Sequence, residues 1–388
     1  MLHRRIAQER VRYLVSKFPT LTLLGARQIG KSTLARLSFP EFSYVDLEDP
    51  LDLARVQADL PYFLKQNSRV IIDEAQFLPE LFPALRSHID RNKRFKAILL
   101  GSANPVLYRK TAEALTGRTT FFELSGISVL EHKQESLWFK GAFPRLHWTS
   151  PKVPPAEWYF SYVRTYLAQD IPQLGFRISQ IRLRKLLTMI AHSQGHLCNL
   201  SEFGASLGIS HNSISHILDI FEGTFSVRRL MPYYLNMKKR MVKSPKLYIR
   251  DNGLLHYLMD MGFERRRIES HPKFGMSFES FCVEQIISSG QRIDPACEAY
   301  FFRTQAGLEV DLILKFRGKL IPVEIKVSPP SSVRSLELAM RDLKAKTGFV
   351  VTAESDRVAF SRGVTVLSLT EFLQGLKSGA ALKVRPSL

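Results

Sequence analysis

Cysteine is scarce in this chain: three in 388 residues, Cys198, Cys282 and Cys297, far apart and without metal-ligand spacing. That excludes a disulfide-stapled scaffold and a cysteine zinc site, and it fits a reducing, cytoplasmic setting. Long apolar runs are missing too. No uninterrupted stretch approaches the roughly 20 residues of a membrane-spanning helix, so no membrane association is expected. The opening residues, Met1-Leu2-His3-Arg4-Arg5, are basic but lead into a mixed, helix-like segment with no apolar core, which argues against a signal peptide. Internal repeats and low-complexity tracts are absent. Acidic residues are in short supply: 36 Asp and Glu stand against 55 Lys and Arg, for a net charge of +19. An excess this large concentrates polyanions at the surface and makes nucleic acid the first candidate partner.

What is present is an ordinary hydrophobic share, 45%, in a chain too long for one typical core. Two or three domains are expected. Leu21 to Leu24, Val70 to Ile72 and Ala97 to Leu100 are short apolar runs bounded by turn or charged residues, as in buried parallel strands. Helical segments such as Pro83 to Arg91 lie between them. An α/β layer fold with a parallel sheet follows for residues 1–150. The stretch Thr149-Ser150-Pro151-Lys152-Val153-Pro154-Pro155 marks a linker. Beyond it, residues 151–265 are mostly helical, and a break near Glu269 to Lys273 introduces a mixed α/β segment, residues 266–388.

The strongest motif is Gly25-Ala26-Arg27-Gln28-Ile29-Gly30-Lys31-Ser32, a GxxxxGK[ST] loop that follows an apolar strand and opens a helix at Thr33. Gly25 and Gly30 let the backbone curl so that its N–H groups and the helix N-terminus face phosphate. Lys31 is placed to reach the terminal phosphates of ATP, and Ser32 to offer its hydroxyl to Mg2+. Further along, Val70-Ile71-Ile72-Asp73-Glu74 is an apolar strand ending in two carboxylates. At the carboxyl end of a parallel sheet, Asp73 belongs near the metal and Glu74 is the candidate general base. Ser102 and Asn104, after another strand, are candidates to touch the γ-phosphate, with a plain turn as the alternative. Arg118, after Gly117, is a candidate arginine finger acting from a neighbouring subunit or domain, or else a surface arginine. A finger from a neighbouring subunit would imply a homo-oligomer, whereas one from a neighbouring domain would not.

The middle segment contains a helix-turn-helix pattern from Asn199 to Leu218. Leu200, Phe203 and Leu207 share a face, Gly208 ends the first helix, Ser210 caps the second, and Ile214, Ile217 and Leu218 form its core side. The exposed side would show His211, Asn212, Ser213 and Ser215, with no Lys or Arg. The basic residues come afterwards, at Arg228, Arg229, Lys238, Lys239, Arg240, Lys243 and Lys246, so a winged helix contacting phosphates is the reading. Such modules also serve as protein-binding units.

Glu309 to Leu314 and Leu320 to Lys326 read as two strands around a Gly318 turn, with Pro322 marking an edge or a bulge. Alternation puts Glu309, Asp311 and Ile313 on one face, and Glu324 with Lys326 on one face. This Asp…Glu-x-Lys hairpin resembles that of restriction-endonuclease-like nucleases. There the carboxylates bind Mg2+ and the lysine assists attack by water. Glu279, on a preceding helix, is a further candidate carboxylate, and a solvated charged hairpin is the alternative.

These segments in this order resemble a widespread bacterial and archaeal group of AAA-type ATPases that carry a C-terminal domain of unknown function, DUF4143, with a nuclease-like fold. The match rests on Gly25 to Thr33, Ile71 to Gln76, Leu100 to Ser102, Leu115 to Arg118, Gly141 to Pro144, Tyr166 to Ile171, Lys243 to Gly253 and Arg303 to Val327. The resemblance implies that Asp73 and Glu74 are Walker B residues and that Ser102 lies at a sensor-like strand end. Gly101-Ser102-Ala103-Asn104 departs from the group in being less Ser-rich. Three functions follow as expectations: an ATPase acting on DNA, a nucleotide-dependent switch that binds protein, and an active Mg2+ nuclease.

Overall fold

The computed structural model describes residues 5–101, 111, 113–173, 178–234, 244–304, 307–354, 358–361 and 363–379. Its first sheet has five strands, β1 (Thr20–Leu24), β2 (Ser43–Asp46), β3 (Arg69–Asp73), β4 (Lys96–Leu100) and β5 (Thr119–Glu123), in the order β2-β3-β4-β1-β5. Every pairing is parallel. All five residues of β1 are buried, which is why the run carries no alternation. Helices Ala7–Lys17 and Lys31–Ser38 lie over one face and Leu81–Arg91 over the other. The two faces feed separate apolar cores: Leu21 and Leu23 join one, Leu24 and Ile72 the other.

The middle segment is helical, as expected. Helix Leu200–Leu207 ends at Gly208 in the left-handed conformation, and Ser210 caps His211–Gly223 by accepting from the Ser213 N–H at 3.1 Å. The antiparallel pair β6 (Val227–Pro232) and β7 (Lys246–Ile249) follows. This hairpin is not self-contained. Met231 and Pro232 pair in parallel with Tyr300 and Phe301, so β6 and β7 extend the C-terminal sheet. That sheet adds β8 (Glu298–Arg303), β9 (Glu309–Phe316), β10 (Lys319–Ile325), β11 (Gly348–Thr352), β12 (Val358–Ser361) and β13 (Val364–Ser368). Helix Phe274–Ile293 packs on it, and one apolar core runs continuously from Ala7 through the middle helices to Leu376.

Two expectations need correcting. Tyr300 pairs with Ile313 while Phe302 pairs with Val310, so β9 carries an extra residue at Asp311–Leu312. This bulge turns Ile313 to the face opposite Glu309 and Asp311, where it packs with Phe302 and Val310. Pro322 does not mark an edge strand, because β10 lies between β9 and β11. It is tolerated because pairing with β11 begins only at Val323, so the proline sits where β10 has β9 alone as partner.

Candidate nucleotide site and its surroundings

Because the first sheet is parallel throughout, β1 and β3 deliver Gly25 and Asp73 to the same edge, although β4 separates them. The loop between β1 and its helix needs positive φ at Gly25 (151°), Gln28 (61°) and Gly30 (95°). A Cβ on Gly25 would lie 2.5 Å from the carbonyl oxygen of Leu124, so only glycine fits there. Lys31 begins the helix and is 7% exposed. Its ammonium donates to the carbonyls of Gly25 (3.0 Å) and Ala26 (3.1 Å). Burial lowers its pKa to about 8, against the pull of Glu74 and Asp73.

Asp73 is also buried and organises the opposite wall. One carboxylate oxygen accepts from Ser32 Oγ at 2.5 Å and from Tyr44 Oη at 2.8 Å, while the other accepts from the Glu74 N–H at 3.0 Å. Ser32 and Asp73, the two residues expected to share a metal, therefore meet directly. Glu74 follows in the left-handed region (φ 48°, ψ 45°), a conformation that costs a non-glycine residue on the order of 1 kcal/mol or more. Its carboxylate accepts from the side-chain amide of Gln76. Tyr44 was not singled out in the sequence; nothing in its local pattern marks it, since only the β2–β3 pairing brings it to Asp73.

The remaining residues of the predicted set fall elsewhere. Ser102 and Asn104 lie outside the described residues. Arg118 is not brought to the phosphate loop of its own chain. It precedes β5 at the amino-terminal edge of the sheet, where its carbonyl accepts from the Thr20 N–H, and its guanidinium holds both oxygens of Asp90 (2.7 and 2.8 Å). The loop lies at the other end of β1. We expect Arg118→Ala to leave ATP affinity unchanged in dilute, monomeric protein, as a fluorescent-nucleotide titration would test. A tenfold loss there would contradict this geometry.

Beyond the loop itself, one ion pair joins it to the middle segment, and two further contacts lie around it. Arg27 forms an ion pair with Asp170, which sits in a π-helical turn, Tyr166–Asp170, that interrupts the helical ladder. Burial pushes the Asp170 carboxyl upward while Arg27 opposes it. Pro144 lies beside Gly30, 3.7 Å from where its Cβ would be. The Ala142 N–H donates to Asp251 at 2.7 Å, and Asp251 also accepts from Tyr159 Oη and caps helix Asn252–Leu258. Asp170 and Asp251 lie in stretches that carry the family resemblance, but no local signal in the sequence distinguishes them from surface acids.

Of the basic residues after the helix pair, the three that are described, Arg228, Arg229 and Lys246, are engaged with acidic side chains of the same chain. Arg228 holds Glu284 with two bonds (2.8 and 3.1 Å), and Arg229 pairs with Asp219 and Glu222 on helix His211–Gly223. Lys246 is 2% exposed, its Nζ 2.5 Å from Glu309 and 3.9 Å from Glu279. Lys238, Lys239, Arg240 and Lys243 lie outside the described residues. The charges of Arg228, Arg229 and Lys246 meet carboxylates because β6 and β7 pack between acidic helices and the C-terminal sheet.

In the C-terminal segment, Glu279 accepts from Tyr248 Oη at 2.7 Å and Asp311 accepts from the Ile325 N–H at 2.8 Å. Glu324 pairs with Lys326 at 2.7 Å. Glu279 and Glu324 are both raised to about 7 by burial and by the charge of Asp311. The four residues expected of a nuclease-like site thus gather at one place, together with Glu309 and Lys246, which sequence reasoning had not put in the set.

The parallel sheet and its phosphate loop define an AAA-type P-loop ATPase domain. A family model described as an AAA domain matches residues 17–133, a domain of unknown function (DUF8612) matches 131–265, and a domain of unknown function (DUF4143) matches 274–372. The chain is 35% identical over 383 residues to the uncharacterized proteins Rv2008c of Mycobacterium tuberculosis and Mb2031c of Mycobacterium bovis, covering 96% of this chain and 85% of each relative. It belongs to this family of AAA-domain ATPases with a C-terminal DUF4143 domain. Among solved structures it is similar to the Walker-type ATPase PABY2304 of Pyrococcus abyssi. That match has a TM-score of 0.46 and 14% identity, and covers 67% of this chain and 96% of the other. Among the described residues no helix is long and apolar enough to cross a membrane.

Proposed function

We propose that the protein binds Mg-ATP at the Gly25–Thr33 loop, hydrolyses it, and passes the nucleotide state to its middle segment through Arg27 and Asp170. The observation that carries this reading is the Ser32–Asp73–Tyr44 cluster beside the buried Lys31. The donor set fits the nucleotide and its metal: backbone N–H groups of the loop, one ammonium, one hydroxyl and one carboxylate, converging on a helix N-terminus. Ser32 and Asp73 would hold Mg2+, which when bound neutralises phosphate charge. Lys31 would exchange its two carbonyl acceptors for phosphate oxygens, a stronger partner for a desolvated cation. Glu74 would orient and deprotonate the attacking water, its position fixed by the left-handed turn and by Gln76. Arg27 is part of the loop, so any rearrangement around phosphate acts directly on Asp170 and the π-helical turn.

The net charge of +19 supports DNA as the partner on which turnover acts. ATP turnover should then rise on adding single-stranded, duplex or branched DNA, and the stimulation should fall steeply with salt. Unchanged turnover at low salt would rule that partner out. A second reading, a switch that binds protein, is favoured by one observation: Arg228, Arg229 and Lys246 are tied up in internal ion pairs. Under it, Asp170→Asn would alter partner binding with no DNA effect at any salt concentration.

A further inference from the structure

Asp73 is held by three donors that differ in where they come from. Ser32 Oγ (2.5 Å) and Tyr44 Oη (2.8 Å) donate to one carboxylate oxygen, and the Glu74 N–H (3.0 Å) donates to the other. Ser32 rides on the helix that opens from the loop, so it shifts with any adjustment of the loop around phosphate. The Glu74 N–H belongs to the next residue and moves with Asp73 itself. Of the three, only Tyr44 reaches the carboxylate from a separate strand, β2.

The geometry explains why this residue is a tyrosine. In the parallel register Tyr44 stands beside Ile71, two residues before Asp73 and on the same face of the sheet. That offset is about 6–7 Å along the strand, which a tyrosine hydroxyl spans and a serine or threonine hydroxyl does not. The ring has supports of its own. It packs against the apolar core that β1 shares with helix Lys31–Ser38, and the Arg36 guanidinium lies over it, 4.9 Å from the centroid. Arg36 belongs to the same helix as Lys31 and Ser32.

We propose that Tyr44 is a positioning residue for the cation that accompanies ATP: its hydroxyl fixes the Asp73 carboxylate and touches neither nucleotide nor metal. The inference rests on the Mg-ATP reading of the loop and deepens it. Without the hydroxyl, Asp73 keeps Ser32 and its own neighbour as donors but loses its tie to the adjacent strand. A group that orients a metal-holding carboxylate in this way contributes about ten- to a hundredfold to metal affinity.

The test uses the full chain in excess over a non-hydrolysable ATP analogue, with Mn2+ as the probe read by electron paramagnetic resonance. Tyr44→Phe keeps the ring, its packing and the Arg36 contact, so it should fold with a native-like melting temperature. Its affinity for the analogue without metal should stay within about twofold of native, whereas Mn2+ affinity of the complex should fall about tenfold. The Mg2+ concentration for half-maximal turnover should rise by the same factor, with turnover at saturating Mg2+ nearly restored. In an Asp73→Ala background Tyr44→Phe should change nothing further, because the hydroxyl then has no carboxylate to hold. Native-like Mn2+ affinity in Tyr44→Phe, or the same loss in the Asp73→Ala background, would overturn the proposal. So would a parallel loss of metal-free analogue affinity, which would put Tyr44 against the nucleotide. A native chain that binds no analogue fails at an earlier step and overturns the loop reading together with this one. Should Tyr44→Phe fold poorly, Tyr44→Met takes its place in the same arms.

Discussion

Lys31→Ala is expected to lower ATP affinity by roughly ten- to a hundredfold, since a hydrogen bond to a charged group contributes about 1.5–3 kcal/mol. Turnover should fall further, by about 10²- to 10³-fold, as for other donors aimed at charge that develops in a transition state. Two features concentrate the effect on one side chain. Lys31 is buried, so water does not replace the lost ammonium at the phosphate. Its acceptors, the carbonyls of Gly25 and Ala26, belong to the same loop that would receive the phosphate. The variant should still fold, because losing a desolvated charge removes a burial cost along with two hydrogen bonds. Phosphate release and a fluorescent-nucleotide titration, with the melting temperature as control, measure all three. Turnover within tenfold of the native chain would show that the loop is not the catalytic nucleotide site.

Glu74→Gln should separate binding from chemistry. The amide keeps the size of the carboxylate, so ATP affinity should stay within a few-fold of native. Turnover should drop by about 10²- to 10⁴-fold, the usual contribution of a positioned general base. The backbone supports assigning Glu74 rather than its neighbour. Asp73 is committed to Ser32, Tyr44 and a backbone N–H, whereas Glu74 follows in the left-handed conformation with its carboxylate held by the Gln76 side-chain amide. Gln76→Ala removes that amide and should cost less, within about tenfold, because the base would be loosened but still present. Native-like turnover in Glu74→Gln would move the base elsewhere. A parallel loss of ATP affinity would instead make Glu74 part of the binding surface.

The phosphate loop was legible because its chemistry is local. Glycines at positions of positive φ, a lysine and a serine one residue apart, and an apolar strand before them all lie within a short span of chain. The strand endings at Leu24 and Asp73, the cap at Ser210 and the turn at Gly208 were readable for the same reason. Legibility failed wherever a residue's role depended on which strand or helix came to lie beside it. The bulge at Asp311–Leu312 exists only against β8, and it reversed the face assigned to Ile313.

Charge shows the division most clearly. The sequence determined that the chain is basic, that it has a P-loop followed by an acid-ended strand, and that an acidic hairpin with a lysine lies near its end. Only the tertiary structure decided where the cations go. It sent Arg118 to Asp90 at the far edge of the sheet, Arg27 to Asp170, Arg228 to Glu284, and Lys246 into the carboxylate cluster. The physical reason is that secondary structure is set by neighbours in the chain. An ion pair between residues far apart in the chain is set by packing, which decides which charges come within reach of one another and how much water is left around them.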